Sequence, residues 1–309
     1  MIRWSKERSP NLVVDFRAST MEICSIMSQL LQYILTGITV GSIYALIALG
    51  FTMIYGVGRV LNLAHAGYVM VAAYMYYMAT YVLGLPVAAG FAIAIGVSTG
   101  LAIATFMGWV RRFLHDPVVV FVSTLIMALL LGHIMTLAFF RENINVPPVV
   151  EGMTPFMGYT FSNNLIAGVI ASWVCIAGVL FFVRRTHMGR AMQALAMDRR
   201  GAIISGINPD VVNLTTWAIS GALAGVAGVF YGSYTFLVPD MWVLPLIMSF
   251  AIVVIGGLGS IEGTLVGAHI VGFMETATVL AISDKLRSVP GLVIMIIVLV
   301  LRPKGLFGR

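Results

Sequence analysis

Asn62, His65 and Gly67 interrupt a stretch in which polar residues are scarce. Between Arg59 and Arg111 the chain has no Asp, Glu, Lys or Arg. Asn62 and His65 supply hydrogen-bond donors and acceptors, and Gly67 permits close backbone approach. Two readings follow: these residues line a path for a solute, or they satisfy backbone freed where a helix breaks. A second break, Gly256 to Gly263, holds a comparable place in the second half, with Gly257 and Gly259 as its candidate pathway positions. It hints at an internal repeat. Glu275 is the clearest carboxylate inside an apolar run. Such a group either serves ion coupling or is paired within a bundle.

Other chemistries are excluded. No Gly-x-x-x-x-Gly-Lys-[Ser/Thr] run exists, so the chain has no P-loop of its own. Gly56-Val-Gly58 and Gly257-Leu-Gly259 do not complete a dinucleotide fingerprint. The histidines at 65, 115, 133, 187 and 269 do not cluster at metal-ligand spacing. Cys24 and Cys175 form no redox or metal motif and read as buried small hydrophobes.

The elements that position these residues are membrane helices. Hydrophobic residues make up 60% of the 309 and charged residues 10%, against about 25% charged in soluble domains. A crossing needs about 20 apolar residues. Nine apolar segments fit, at about 30–56, 62–83, 86–110, 117–140, 164–183, 211–231, 242–258, 264–282 and 288–301. The expected fold is an all-α polytopic bundle of about eight to nine spans, with broken or re-entrant helices. Gly221, Gly225 and Gly228 on one helix suit close helix packing. Residues 1–28 read as a polar tail, disordered or upstream of the true start, and residues 29–309 as the membrane domain. No cleavable signal peptide is evident.

Loop charge gives orientation. Residues 184–210 hold five arginines and two aspartates, a net of +3, whereas 141–162 nets −1 through Arg141, Glu142 and Glu151. The first loop is therefore expected on the cytoplasmic side and the second outside. By the same count the tail from Arg302 is cytoplasmic. Counting backward puts the N-terminus outside, at odds with its four basic residues, and that side stays open. The net charge of +6 belongs to these loops and tails and is no sign of nucleic-acid binding.

Within the basic loop, Met192, Leu195 and Ala196, then Ala202, Ile203 and Ile204, predict a short amphipathic helix ended by Gly206. It rests on lipid head groups, or it docks a cytoplasmic partner through an apolar ridge flanked by arginines.

Four motifs, in order, carry a family resemblance over residues 30–309. They are Gly41-Ser-Ile-Tyr-Ala-Leu with Ile54-Tyr-Gly56 and the Asn62–Gly67 break; Gly189-Arg190 with Asp198, Ala202, Gly206 and Ile207; Gly256–Gly263; and Arg302–Gly308. Together they resemble the permease subunits of branched-chain amino acid ABC importers, of the LivH type. Gln193 and Leu63 depart from the usual pattern, where a basic residue and Phe are common. The resemblance implies an inner-membrane subunit paired with a homologous second permease chain and two cytoplasmic ATPase subunits. An extracytoplasmic binding protein would deliver the substrate. ATP and Mg would be held by the ATPase chains, with no cofactor in this one. It also implies that 184–210 is the coupling loop, with Gly189, Arg190, Ala196, Asp198, Ala202, Gly206 and Ile207 at the ATPase contact. Permeases for urea, short amides or other amino acids share the pattern. An ion-coupled carrier rests on Glu275 alone, and a channel leaves the arginine-rich loop unexplained.

Overall fold

The computed structural model describes residues 11–140, 143–156 and 159–308. Of the segments discussed above, residues 1–10 of the tail, Arg141, Glu142 and Arg309 lie outside the described residues, as do the side chains of residues 11–26, Cys24 included. From Asn11 the backbone is already continuous with the first membrane helix, α1 (Asn11–Gly58).

Each of the nine apolar segments is helical. After α1 come α2 (Ala64–Tyr77), prolonged by a π turn to Val82, and α3 (Val87–Thr105), prolonged by a π turn to Val110 and the single turn α4 (Arg111–Phe113). Next are α5 (Pro117–Phe139), a hairpin of β1 (Met153–Phe156) and β2 (Tyr159–Ser162), and α6 (Asn163–Arg185). The short α7 (His187–Met197) and α8 (Arg199–Ile204) precede α9 (Pro209–Tyr234), α10 (Val243–Gly256), α11 (Ile261–Ala281), a 3-10 turn (Asp284–Leu286) and α12 (Val289–Leu301). Among the described residues six helices are long and apolar enough to cross a membrane, α1 from Met27, α3, α5, α6, α9 and α11. The chain is thus a helical polytopic membrane protein.

Burial sorts the helices into a centre and a rim. Of the apolar 18-residue stretch within each helix, 78% is buried in the Met27–Gly58 span and 72% in α9, against 22% in α3 and in α6. The rim faces outward with large apolar side chains, among them Ile126, Leu137, Val174, Phe181 and Val300. A surface of that kind suits hydrocarbon rather than water. Without water to drive association, the centre relies on close approach. At Gly221 and Gly225 of α9 an added Cβ would stand 2.8 Å from Thr99 Cα and 2.6 Å from Ile95 Cα. Ser98 Oγ reinforces the contact by donating to the Gly221 carbonyl at 2.8 Å. The α9 glycines therefore do what their spacing predicts.

α1 and α11 run antiparallel through the centre. Gly272 lies on the Gly41 backbone, Thr52 and Thr264 share a 2.6 Å hydrogen bond, and a Cβ added at Gly259 would lie 3.3 Å from Gly56 Cα. The two breaks thus meet at one end of the bundle, the end that also carries α7 and α8. The C-terminal tail closes that end. Leu306 N–H and Phe307 N–H donate to the Ile255 and Gly256 carbonyls at 2.8 and 3.0 Å, satisfying α10's last turn. Gly257 and Gly305, both at positive φ, lie face to face, and Gly256 lies against Gly263 with no room for a Cβ on either. The two C-terminal motifs are therefore one clasp.

A Gly263→Val substitution would drive a side chain into the Gly256 carbonyl, and overpacking of this kind costs about 1–3 kcal/mol or more. Thermal unfolding in detergent should show a lower Tm. Gly96→Val, where a Cβ meets nothing within 4 Å, should leave Tm nearly unchanged. Equal Tm values for the two variants would contradict the clasp.

Candidate functional site

The first break is re-entrant. α1 ends at Gly58, Arg59 turns the chain at φ 56°, and α2 begins at Ala64. Yet His65 reaches Ile47 and Gly50, eight to eleven residues back along α1, which at about 1.5 Å per residue is roughly 12–17 Å inside the helix end. Residues 59–63 therefore run back into the bundle as non-helical backbone. Such backbone is stable in apolar surroundings only if its polar groups find partners.

Partners for several of these groups are present. Asn62 Oδ1 accepts from Ala64 N–H at 3.1 Å, filling an orphan donor of α2's first turn. Thr124 of α5 accepts from Leu63 N–H at 3.1 Å, and its hydroxyl faces the Leu61 carbonyl at 3.4 Å. His65 binds two helices at once. The Ile47 carbonyl, 3.0 Å from Nε2, can only accept, so Nε2 carries the proton. Nδ1 then accepts from Ser220 Oγ of α9 at 3.1 Å. Gly50 leaves space for the ring, since an added Cβ would lie 2.5 Å from it. Gly67 seats α2 on α5, where an added Cβ would lie 3.5 Å from Ala128 Cα. Asn62 and His65 are 1% and 0% exposed, and neither lines any of the four cavities described. Asn62 Nδ2 keeps no hydrogen bond and lies near the Tyr68 hydroxyl.

The arginine-rich end holds two helices where one was expected. Asp198 caps the end of α7 and accepts from Arg200 N–H at 2.9 Å to start α8. Gly206, at φ 85°, ends α8 with paired bonds, Ile207 N–H to Ala202 O and Gly206 N–H to Ile203 O, each 3.0 Å. Gly189 presses on the Phe182 and Val183 carbonyls, so the turn from α6 into α7 tolerates no side chain there. The expected apolar ridge also needs correction. Met192, Leu195 and Ala202 face inward and are buried in the chain's own core. The exposed apolar residues are Met197 at 87%, Ile203 at 49% and Ile204 at 86%. Periodicity reveals that a helix has an apolar face but not that this face docks on its own bundle.

Two ties hold α7 in place. Gln193 Nε2 donates to the Val183 carbonyl at 3.0 Å, a use for the residue that departs from the family pattern. Arg59, at the start of the break, donates to the Ala196 carbonyl at 2.9 Å and fills an orphan acceptor in α7's last turn. A cavity of about 110 Å³ lies between α1, α6, α7 and the second break, lined by Thr52, Gly56, Val183, Met192, Ala196 and Gly259. Arg190 donates to His187 Nδ1 at 3.0 Å. Arg184 pairs with Glu262 at 2.6 Å and Arg111 with Asp210 at 2.5 Å, both exposed.

Glu275 is paired within the bundle. Tyr44 O–H donates to its Oε2 at 2.8 Å, and Arg287 Nε lies 3.4 Å from its Oε1. Arg287 also reaches Asp284 at 2.9 Å. Gly257 and Gly259, expected beside a pathway, serve the tail clasp and the contact with Gly56. Sequence reasoning missed Thr124, Ser220 and Arg59. Hydroxyls within apolar helices were the available signal for the first two, but α5 and α9 each carry several, and nothing in the spacing singled out these or named their partners.

His65→Ala removes two buried hydrogen bonds and opens a void, which together cost about 2–4 kcal/mol. The variant should show a lower Tm in detergent along with lower transport. A wild-type Tm with lost transport would contradict the bracing geometry.

Residues 33–301 match the family model described as the branched-chain amino acid transport system permease component. The high-affinity branched-chain amino acid transport system permease protein LivH of Escherichia coli K12 is 32% identical, over 90% of this chain and 96% of the relative. The corresponding protein BraD of Pseudomonas aeruginosa is 29% identical over the same shares. The ribose import permease protein RbsC of Escherichia coli K12 is 27% identical, over 84% of this chain and 82% of the relative. No solved structure matches. With the match extending from the first half of α1 to the end of α12, this chain belongs to the family of branched-chain amino acid transport permeases.

Proposed function

We propose that this chain is the membrane-spanning subunit of an ATP-driven importer of branched-chain amino acids, in the inner membrane. The observation that carries the reading is the α7–α8 unit. It is capped at every end, tied to α1 and α6, and exposes Met197, Ile203 and Ile204 beside Arg190, Arg199 and Arg200. Apolar side chains exposed among charges outside the spans suit a protein partner. The partner in this reading is an ATPase subunit, one of two, which holds the ATP and Mg. The excess of arginines supports a cytoplasmic side for this end, and for the C-terminal tail with it. The opposite end, with the β1–β2 hairpin, meets the binding protein.

Transport then proceeds by alternating access, and no covalent bond forms or breaks in this chain. Closure of the ATPase pair displaces α7–α8. Arg59 passes the motion to the α1–α2 break, and Arg184 passes it to α11 through Glu262. Solute crosses between this chain and a homologous second permease. Glu275 supports ion coupling poorly, because Tyr44 and Arg287 already engage it.

Purified complex in proteoliposomes, with binding protein and internal ATP, should take up leucine. Omitting the ATPase subunits or the ATP should abolish uptake. Leucine uptake by this chain alone would contradict the proposal, and uptake of ribose with no uptake of leucine would overturn the cargo. In the same preparation Ile203→Asp with Ile204→Asp, both exposed, should leave the Tm unchanged and reduce co-purification of the ATPase about tenfold or more, as loss of a buried apolar anchor does. Undiminished co-purification would remove α8 from the interface.

A further inference from the structure

Polar groups also gather far from both breaks. Ser42 of α1, Trp173 of α6 and His269 of α11 each stand near the middle of a span. Trp173 Nε1 donates to Ser42 Oγ at 3.2 Å, and the indole tilts over the imidazole with ring centroids 5.6 Å apart. The imidazole rests on α1 at Gly41, where an added Cβ would lie 3.0–3.3 Å from His269. His269 Nδ1 is 2.9 Å from the Leu265 carbonyl, which only accepts, so the proton sits on Nδ1. Nε2 is then a lone-pair acceptor, buried and without a hydrogen-bond partner. Buried side-chain acceptors normally have a partner, and ionisable residues at membrane mid-depth mark solute paths by default.

The surroundings define what would fit. His269 and Trp173 line a groove of about 550 Å³ between α6 and α11, whose other walls are Leu265, Ile270, Phe273 and Met274. The groove therefore offers one acceptor among aliphatic and aromatic walls. Its lining residues Trp173, Val266 and Met274 are 46%, 42% and 42% exposed, so the groove opens on the rim of the bundle. A zwitterion there could not face lipid, so another protein chain must supply the opposite wall. Trp173 is 46% exposed, so it can swing from the imidazole without disturbing the core.

We infer that His269 Nε2 receives the ammonium group of an aliphatic amino acid in transit, with Leu265, Ile270, Phe273 and Met274 against its side chain and Trp173 as the cover. The second permease chain closes the groove. This rests on the importer reading above, and it moves the solute contact from Asn62 and His65 to the α6–α11 groove.

The test uses the whole complex in proteoliposomes. His269→Leu keeps bulk and removes the acceptor. It should reduce leucine uptake about tenfold or more, the scale expected for losing a hydrogen bond to a charged group. Co-purification of the ATPase, and hydrolysis stimulated by the binding protein, should persist. Leucine should also raise the Tm of the wild-type complex without binding protein, whereas 4-methylpentanoate, which lacks the ammonium, should not. The leucine shift should vanish in His269→Leu. Trp173→Phe, which keeps a ring and frees the cover, should enlarge it. If the wild-type complex takes up no leucine, the importer reading fails. If wild type transports and His269→Leu matches it in uptake and Tm shift, the inference alone fails. Should His269→Leu not assemble, an unchanged leucine shift in Trp173→Phe overturns the inference and an enlarged one sustains it.

Discussion

Backbone that leaves the helix inside an apolar bundle must find a partner for every N–H and C=O it frees, because neither lipid nor neighbouring hydrocarbon can supply one. Much of this structure answers that demand at residues 59–63. Asn62 caps α2, Thr124 crosses from α5 to serve Leu61 and Leu63, and His65 pins the new helix to α1 and α9. Because these bonds join four helices, the break is also the point through which those helices are held in register. A substitution at His65 is consequently felt by α1, α2 and α9 together.

The same economy operates at the arginine-rich end. There the helix ends fall in exposed or tightly turned chain, and each is closed by a side chain or a glycine: Thr186, Asp198, Gly206 and Arg59 around α7 and α8, and the returning tail at α10. Arg59 matters most, because it belongs to the break by sequence and to α7 by its hydrogen bond. It joins the re-entrant backbone to the surface proposed to meet the ATPase. The Glu275 cluster plays a comparable part toward the other end, with Arg287 returning from the loop after α11 to a carboxylate that Tyr44 of α1 also holds.

The coarse architecture was legible in the sequence. Uncharged runs such as 60–110 leave few alternatives to membrane helices, and Gly206 marked the end of α8 as it stands. Tertiary partners were not legible. The apolar face of α7 turned inward on Val183 and its neighbours, so the exposed ridge moved to Met197, Ile203 and Ile204. His65 reads the same in sequence whether it faces a solute or two helices, and nothing in the spacing named its partners Ile47 and Ser220. Gly257 signalled special backbone, yet its partner, the tail at Gly305, lies dozens of residues away. Local pattern reports what a residue is able to do, and packing decides with whom.

Arg59 ties α7, the helix proposed to meet the ATPase, to the re-entrant break. The most direct measurement is the number of leucine molecules taken up per ATP hydrolysed by the reconstituted complex carrying Arg59→Ala. The account predicts that hydrolysis continues while this ratio falls severalfold, since α7 would move without carrying the break with it. A ratio equal to wild type, whatever happens to the absolute rates, would contradict it.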